Sequence, residues 1–402
     1  MTTRRSFLTL SGGVLAASAL AACRETQAAA APLSSSVPDV VLAGSRTGIV
    51  RLTGGEVRPI GAQSVLSRAG DVAYVVSDAG LERVDAATGA SLQQQPIGGG
   101  WMPRVVAESS DLCALLTTPP GEPPAARATS GLLVVGAGRR QKFNLPGCVE
   151  PDAFTSDGTG LFVLDWLPAD LPDHYRVRLL DFSDGKLHPL YTRDKTPVPE
   201  GAEEQMQGRG RQAVYSKDRQ TLYTLYTHQP EHQHTRNLLN GTRSHVHAFV
   251  HVLHLAERWA YCLDLPDPFG RGPAEGHALA VDGTRLAVLD TASGSIAHAN
   301  TETLQIERVA RIAAGHGPAG LAYSPDARLF AADGNTVHVF DRTDQALATW
   351  LLPSAVRGVR LSADGARLYA GSENEVVWLD AGSGVLRGRV RVDGLTEILS
   401  AG

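Results

Sequence analysis

The sequence predicts an all-β protein built as a single β-propeller of eight four-stranded blades. A two-strand unit with a tight Asp-centred turn recurs along the chain. The units return at roughly 40-residue intervals, the spacing of propeller blades. Beyond the first residues, no helical periodicity competes with them.

The N-terminal segments come first in the chain. Residues 1–22 combine a basic start, a short apolar core and small residues before a cleavage point, the parts of a signal peptide. Arg4-Arg5-Ser6-Phe7-Leu8 resembles the twin-arginine export signal, although Thr9 stands where many such signals carry lysine. Leu20-Ala21-Ala22-Cys23 resembles the lipobox of bacterial lipoproteins. That resemblance implies lipidation of Cys23 and a location on the extracytoplasmic face of the cell membrane. Residues 23–39 are Ala, Ser, Pro and polar residues that cannot bury a core, and they read as a flexible tether. Residues 40–402 are left for the propeller.

Within that span the repeat is explicit. Gly320-Leu-Ala-Tyr-Ser-Pro-Asp326 returns as Gly358-Val-Arg-Leu-Ser-Ala-Asp364, each followed by a second apolar run. Further copies centre on Asp157, Asp218 and Asp282. Apolar runs of this length bounded by Asp and Gly are strands, because Asp caps its own backbone and Gly accepts a positive φ. A third strand follows each pair, as in the run ending at Asp341 or Asp380, and a fourth closes the unit. First strands are expected near residues 64, 104, 150, 208, 275, 318 and 357, with an eighth from Leu395. Val40-Val41-Leu42-Ala43-Gly44-Ser45 matches the second strand around Leu368, so the strand at Leu395 is expected to complete the first blade and close the ring. Seven blades is the alternative, reached if one divergent unit is misread.

These repeats resemble the WD40-like and YVTN-type propellers of bacterial exported proteins. The Ser-x-Asp-Gly turns match, whereas the Gly-His and Trp-Asp marks of eukaryotic WD40 repeats are missing. The resemblance implies a fold and a habit of binding, and it carries over no catalytic residue.

Composition narrows the partners. The chain of 402 residues has a formal charge of −5, and removing Arg4 and Arg5 with the signal takes it to −7. An acidic surface argues against nucleic acid, whose phosphates need a basic face. Beyond Cys23 only Cys113, Cys148 and Cys262 remain, too few for a disulfide scaffold, and they read as small buried residues.

The long connections fall on one face of the ring. They span residues 117–129, 167–174, 192–205, 228–244 and 266–275, mostly in blades three to five. That face is where an unidentified protein or small-molecule partner is expected. Seven of the thirteen histidines fall between His228 and His254, in the fifth blade. A strand over residues 244–255 would send His245, His247, Phe249 and His251 to one side. With His228, His232 and His234 from the insertion, they could enclose Zn or Cu, though no ligand spacing matches a known template. Tyr226, Trp259 and Phe269 crowd the same blade as a candidate ligand rim.

No Gly-x-Ser-x-Gly elbow, phosphate loop or dinucleotide fingerprint occurs. His277, His316, Glu150 and Arg211 lie near first-strand entrances to the central channel, a scattered set that proximity alone does not make catalytic. The sequence therefore favours a membrane-anchored binding or interaction module over an enzyme. The alternative is a metal-assisted, lactonase-like hydrolase or lyase, or a metal-binding protein using the histidine-rich fifth blade.

Overall fold

The computed structural model describes residues 32–402 except 110, 137, 208, 209 and 231. Residues 1–22, with Arg4 and Arg5, and the lipidation residue Cys23 lie outside the described residues, as does most of the tether. Residues Leu33–Gly402 form one compact unit. Among the described residues, no helix is long and apolar enough to cross a membrane.

Eight sheets follow one another around the ring, so the count is eight rather than seven. Blades two to eight open with Ser64–Leu66, Met102–Val106, Cys148–Phe154, Gln212–Tyr215, His277–Asp282, Ala319–Tyr323 and Gly358–Leu361. Blade one is a composite. Val37–Ser45, Gly48–Gly54 and Glu56–Gly61 supply three strands, and Leu395–Ala401 pairs antiparallel with the first of them. The C-terminal strand takes the inner position, against the first strand of blade eight.

Local chemistry explains why the hairpins repeat. In the first-to-second turns of blades four, five and eight a Ser or Thr hydroxyl donates to an Asp and accepts a backbone N–H further on. Thr155 Oγ1 donates to Asp157 Oδ1 at 2.6 Å and accepts from Gly160 N at 2.9 Å. Ser216 does the same with Asp218 (2.5 Å) and Thr221 N (3.0 Å), and Ser362 with Asp364 (2.6 Å) and Arg367 N (3.0 Å). One short side chain thus satisfies the turn that joins two strands.

The core lies between blades rather than within them. Phe162, Trp166 and Tyr175 of blade four pack against Tyr226, Phe249 and Leu253 of blade five. Val250 and Val252 face the other way, onto Leu279 and Val288 of blade six. Alternate residues of Phe249–His254 therefore serve two interfaces, the period of two that a central strand requires. The seam between blades eight and one is apolar too, with Val41, Leu52, Tyr369 and Trp378 buried together. Across it, Asp39 accepts from Arg367 Nε and Nη2 at 2.6 and 2.8 Å and from the Tyr369 hydroxyl at 2.6 Å.

Blade five departs from the pattern twice. Tyr191–Thr192 adds a fifth strand, parallel to the edge strand Trp259–Asp264. Between Thr221–Tyr226 and Phe249–His254 the chain leaves the sheet and forms a six-residue helix, Thr235–Asn240. The strand begins only at Phe249, so His245 and His247 belong to the insertion and not to the strand face expected for them.

Candidate metal centre

Three separate segments converge on the outer part of blade five. The first is the connection from blade four. Met206 is fully buried and exchanges backbone hydrogen bonds with Tyr175, at 2.8 and 2.9 Å, which pins this connection to blade four. Just before it, Glu203 is gripped by Arg176 and Arg178, each at 2.9 Å. Glu204 is left facing blade five.

The second segment is the insertion. Gln229 N donates to His247 O at 3.0 Å, and the Gln229 side chain reaches Gln207 O at 2.8 Å, which ties insertion to connection. His232 and His234 follow, both buried. His234 occupies the N-cap of the helix but makes no side-chain cap bond, because its ring turns into the cluster. Gly241 ends the helix at φ 64°, a left-handed conformation that glycine adopts without strain.

The third segment is the strand Trp259–Asp264. Cys262 and Asp264, two residues apart, share a face. Cys262 lies opposite His251 in the ladder, so both point at the same region.

One ligand atom each from Glu204, His232, His234 and Cys262 lies within 4.8 Å of the others. His232 Nε2 is 3.0 Å from His234 Nδ1, and Glu204 Oε2 is 3.5 and 3.3 Å from the same two atoms. Cys262 Sγ is 3.3 Å from either oxygen of Glu204. A tetrahedral ion with bonds of about 2.0–2.3 Å places its donors roughly 3.3–3.7 Å apart, close to these separations. Two imidazoles, a thiol and a carboxylate are all zinc ligands, and the first three also suit copper.

The outward-facing nitrogens each lie close to an oxygen as well. His232 Nδ1 is 3.0 Å from Gln205 O, and in the neutral ring donation to that carbonyl leaves Nε2 bare toward the centre, free to ligate a metal. His234 Nε2 faces Asp264 Oδ1 at 2.6 Å, and Arg236 holds the other Asp264 oxygen at 2.5 Å. A carboxylate or carbonyl behind each ring is the usual support of metal-bound histidine.

Electrostatics follow from burial and from these contacts. Burial opposes charge on Glu204, but hydrogen bonds from His232 and His234 outweigh it and hold the carboxyl well below its ordinary range. Burial pushes the Cys262 thiol well above its usual value, and the charge of Glu204 adds to this. Burial works against protonation of His234, yet contacts with Asp264 and Glu204 raise it. His251 lies 3.7 Å from Glu204 Oε1 and is pushed down by burial. A pocket of about 450 Å³ opens beside Glu204, His234, His251 and Cys262.

Of the histidines singled out in the sequence, the fold brings His232 and His234 together and sets His251 beside them. His228 turns to Thr227 Oγ1 at 2.8 Å, His245 is exposed and His247 is half-buried outside the cluster. Glu204 and Cys262 are the two members that sequence reasoning missed. Cys262 carried a signal, being an unpaired cysteine on the same blade. Tyr226 and Phe269 are buried between blades, and Trp259 is partly exposed against His254.

The channel set stays apart from this centre. Glu150 is bound by Arg104 and Arg127 at 3.2 and 2.7 Å, and Arg211 is paired with Asp152. His277 Nε2 accepts from Gly270 N at 3.1 Å while Nδ1 meets Pro273 O at 3.0 Å. His316 is exposed.

No family model matches the chain, and no curated protein is similar to it in sequence. Solved structures do match in fold. A dihydro-heme d1 dehydrogenase, NirN, in complex with DHE aligns at a TM-score of 0.52 and 12% identity, covering 90% of this chain and 74% of that one. A eukaryotic initiation factor aligns at a TM-score of 0.46 and 12% identity, covering 90% and 97%. The likeness to the dehydrogenase is one of propeller fold.

Proposed function

We propose that this chain is a lipid-anchored, extracytoplasmic β-propeller that binds a transition metal, zinc before copper, at its fifth blade. The address is supported by sequence alone, through Arg4, Arg5 and the run ending at Cys23. One observation carries the metal: four donors of zinc-binding type from three chain segments meet within 4.8 Å. The two imidazoles are already backed by Asp264 and by the Gln205 carbonyl. A binding role for the whole module stays attached to this reading, because the metal-bearing insertion belongs to the long loops of blades three to five. The heme-related ligand of NirN brings no heme here, since the two chains share only 12% identity.

The test is elemental analysis of the purified protein after zinc loading and desalting, followed by replacement with Co²⁺. Zinc is expected at one ion per chain, and cobalt is expected to give the intense visible bands of a four-coordinate site with a thiolate ligand. Cys262→Ser combined with His232→Ala should lose both. Equal metal uptake by that double variant, or none by the wild type, would sink the proposal.

A further inference from the structure

The pocket beside the centre has a composition of its own. Glu204, His234 and Cys262 line it, whereas His232 lies on the far, buried side. An ion held by the four would therefore turn one flank toward an open space. Structural zinc sites are enclosed by their ligands, and sites that act on small molecules keep a position reachable from a pocket. At about 450 Å³ the space falls in the range of small-molecule pockets.

Its walls indicate the chemistry of an occupant. Val177, Leu190, Val198, Leu239, Ala260 and Tyr261 give it apolar sides. Glu203, also in the lining, is neutralised by Arg176 and Arg178. At the mouth, Arg193 donates to Glu302 O at 2.7 Å and Thr303 O at 3.4 Å. Arg193 forms no ion pair among the described residues and is oriented by these two carbonyls, with Asp194, next in the chain, also in the pocket lining.

Resting on the metal reading above, we infer that this pocket is a binding site for a small organic anion with an apolar body. A short-chain carboxylate would add one oxygen to the metal as a fifth donor and lay its chain along Leu190, Val198 and Leu239. The field of Arg193 at the entrance favours the anion over a neutral isostere.

The Co²⁺-loaded full chain supplies the test, with butanoate as the probe and butanamide as its neutral counterpart. Butanoate is expected to shift the visible cobalt bands saturably, and butanamide to leave them unchanged. Leu239 is 45% exposed on the short helix, so Leu239→Trp can obstruct the pocket without disturbing the core. That variant should keep its cobalt and lose the response. Arg193→Ala should weaken butanoate by about two- to fivefold, the size of an exposed charge contact. Stoichiometric cobalt with a spectrum indifferent to butanoate would overturn this inference and leave the metal centre standing. Failure to take up cobalt at all would overturn both.

Discussion

Cys262 and His234 set how the centre responds to pH. In the metal-free chain the thiol is held well above its ordinary value by burial and by Glu204, so it carries its proton at neutral pH. A metal must displace that proton, and affinity therefore rises with pH by about tenfold per unit for each proton released. His234 is also raised, by Asp264 and Glu204 against the effect of burial. Below its folded pKa it adds a second proton to be displaced. Zinc affinity measured by chelator competition as a function of pH should rise about tenfold per unit above the raised pKa of His234 and more steeply below it. Cys262→Ser should reduce the slope by one proton. An unchanged slope in that variant would remove the thiolate from the ligand set.

At the scale of elements, the insertion and the connection from blade four are the parts that depend on the metal. The helix Thr235–Asn240 is short and buries no residue of its own, so its position relies on His232 and His234 at its start and on Arg236, which donates to Cys262 O and Asp264. Arg243, just beyond it, is exposed. Trypsin should cut after Arg243 slowly in zinc-loaded protein and several times faster after chelation, because local opening governs access. Equal rates, read by mass spectrometry of the first fragments, would show that the insertion stands without the ion.

The same elements explain what could be read in advance. Every blade was legible because its turn is local: Ser362, Asp364 and the N–H of Arg367 lie within five residues. The C-terminal strand was legible because Val40–Ser45 repeats the pattern near Leu368. The metal donors were only half legible, since Glu204 and Cys262 reach His232 and His234 through folding and not through spacing. His245 and His247 were assigned to a strand because alternation continues upstream of Phe249, where the backbone has already left the sheet.

For the whole molecule, stability depends on the seam where the ring closes. Asp39 spans it with three hydrogen bonds, two of them from the Arg367 guanidinium. Asp39→Ala leaves that guanidinium and the buried Tyr369 hydroxyl short of an acceptor. The cost should be about 2 kcal/mol, the scale of charge-assisted hydrogen bonds. It should appear as a lower urea midpoint with an unchanged slope, because the surface exposed on unfolding is the same. Unaltered stability would mean that the apolar seam of Val41, Leu52 and Trp378 closes the ring unaided.

The composite first blade also orders events in time. Val37–Ser45 leaves the ribosome first among the strands, and its inner neighbour Leu395–Ala401 leaves it last. Until then a row of backbone donors and acceptors on Val41–Ser45 waits for a strand made at the other end of the propeller. Ring completion therefore waits for that strand and closes a very long loop, which slows it. A chain interrupted before residue 395 would carry seven complete sheets and one bare edge, open to pairing with another such chain.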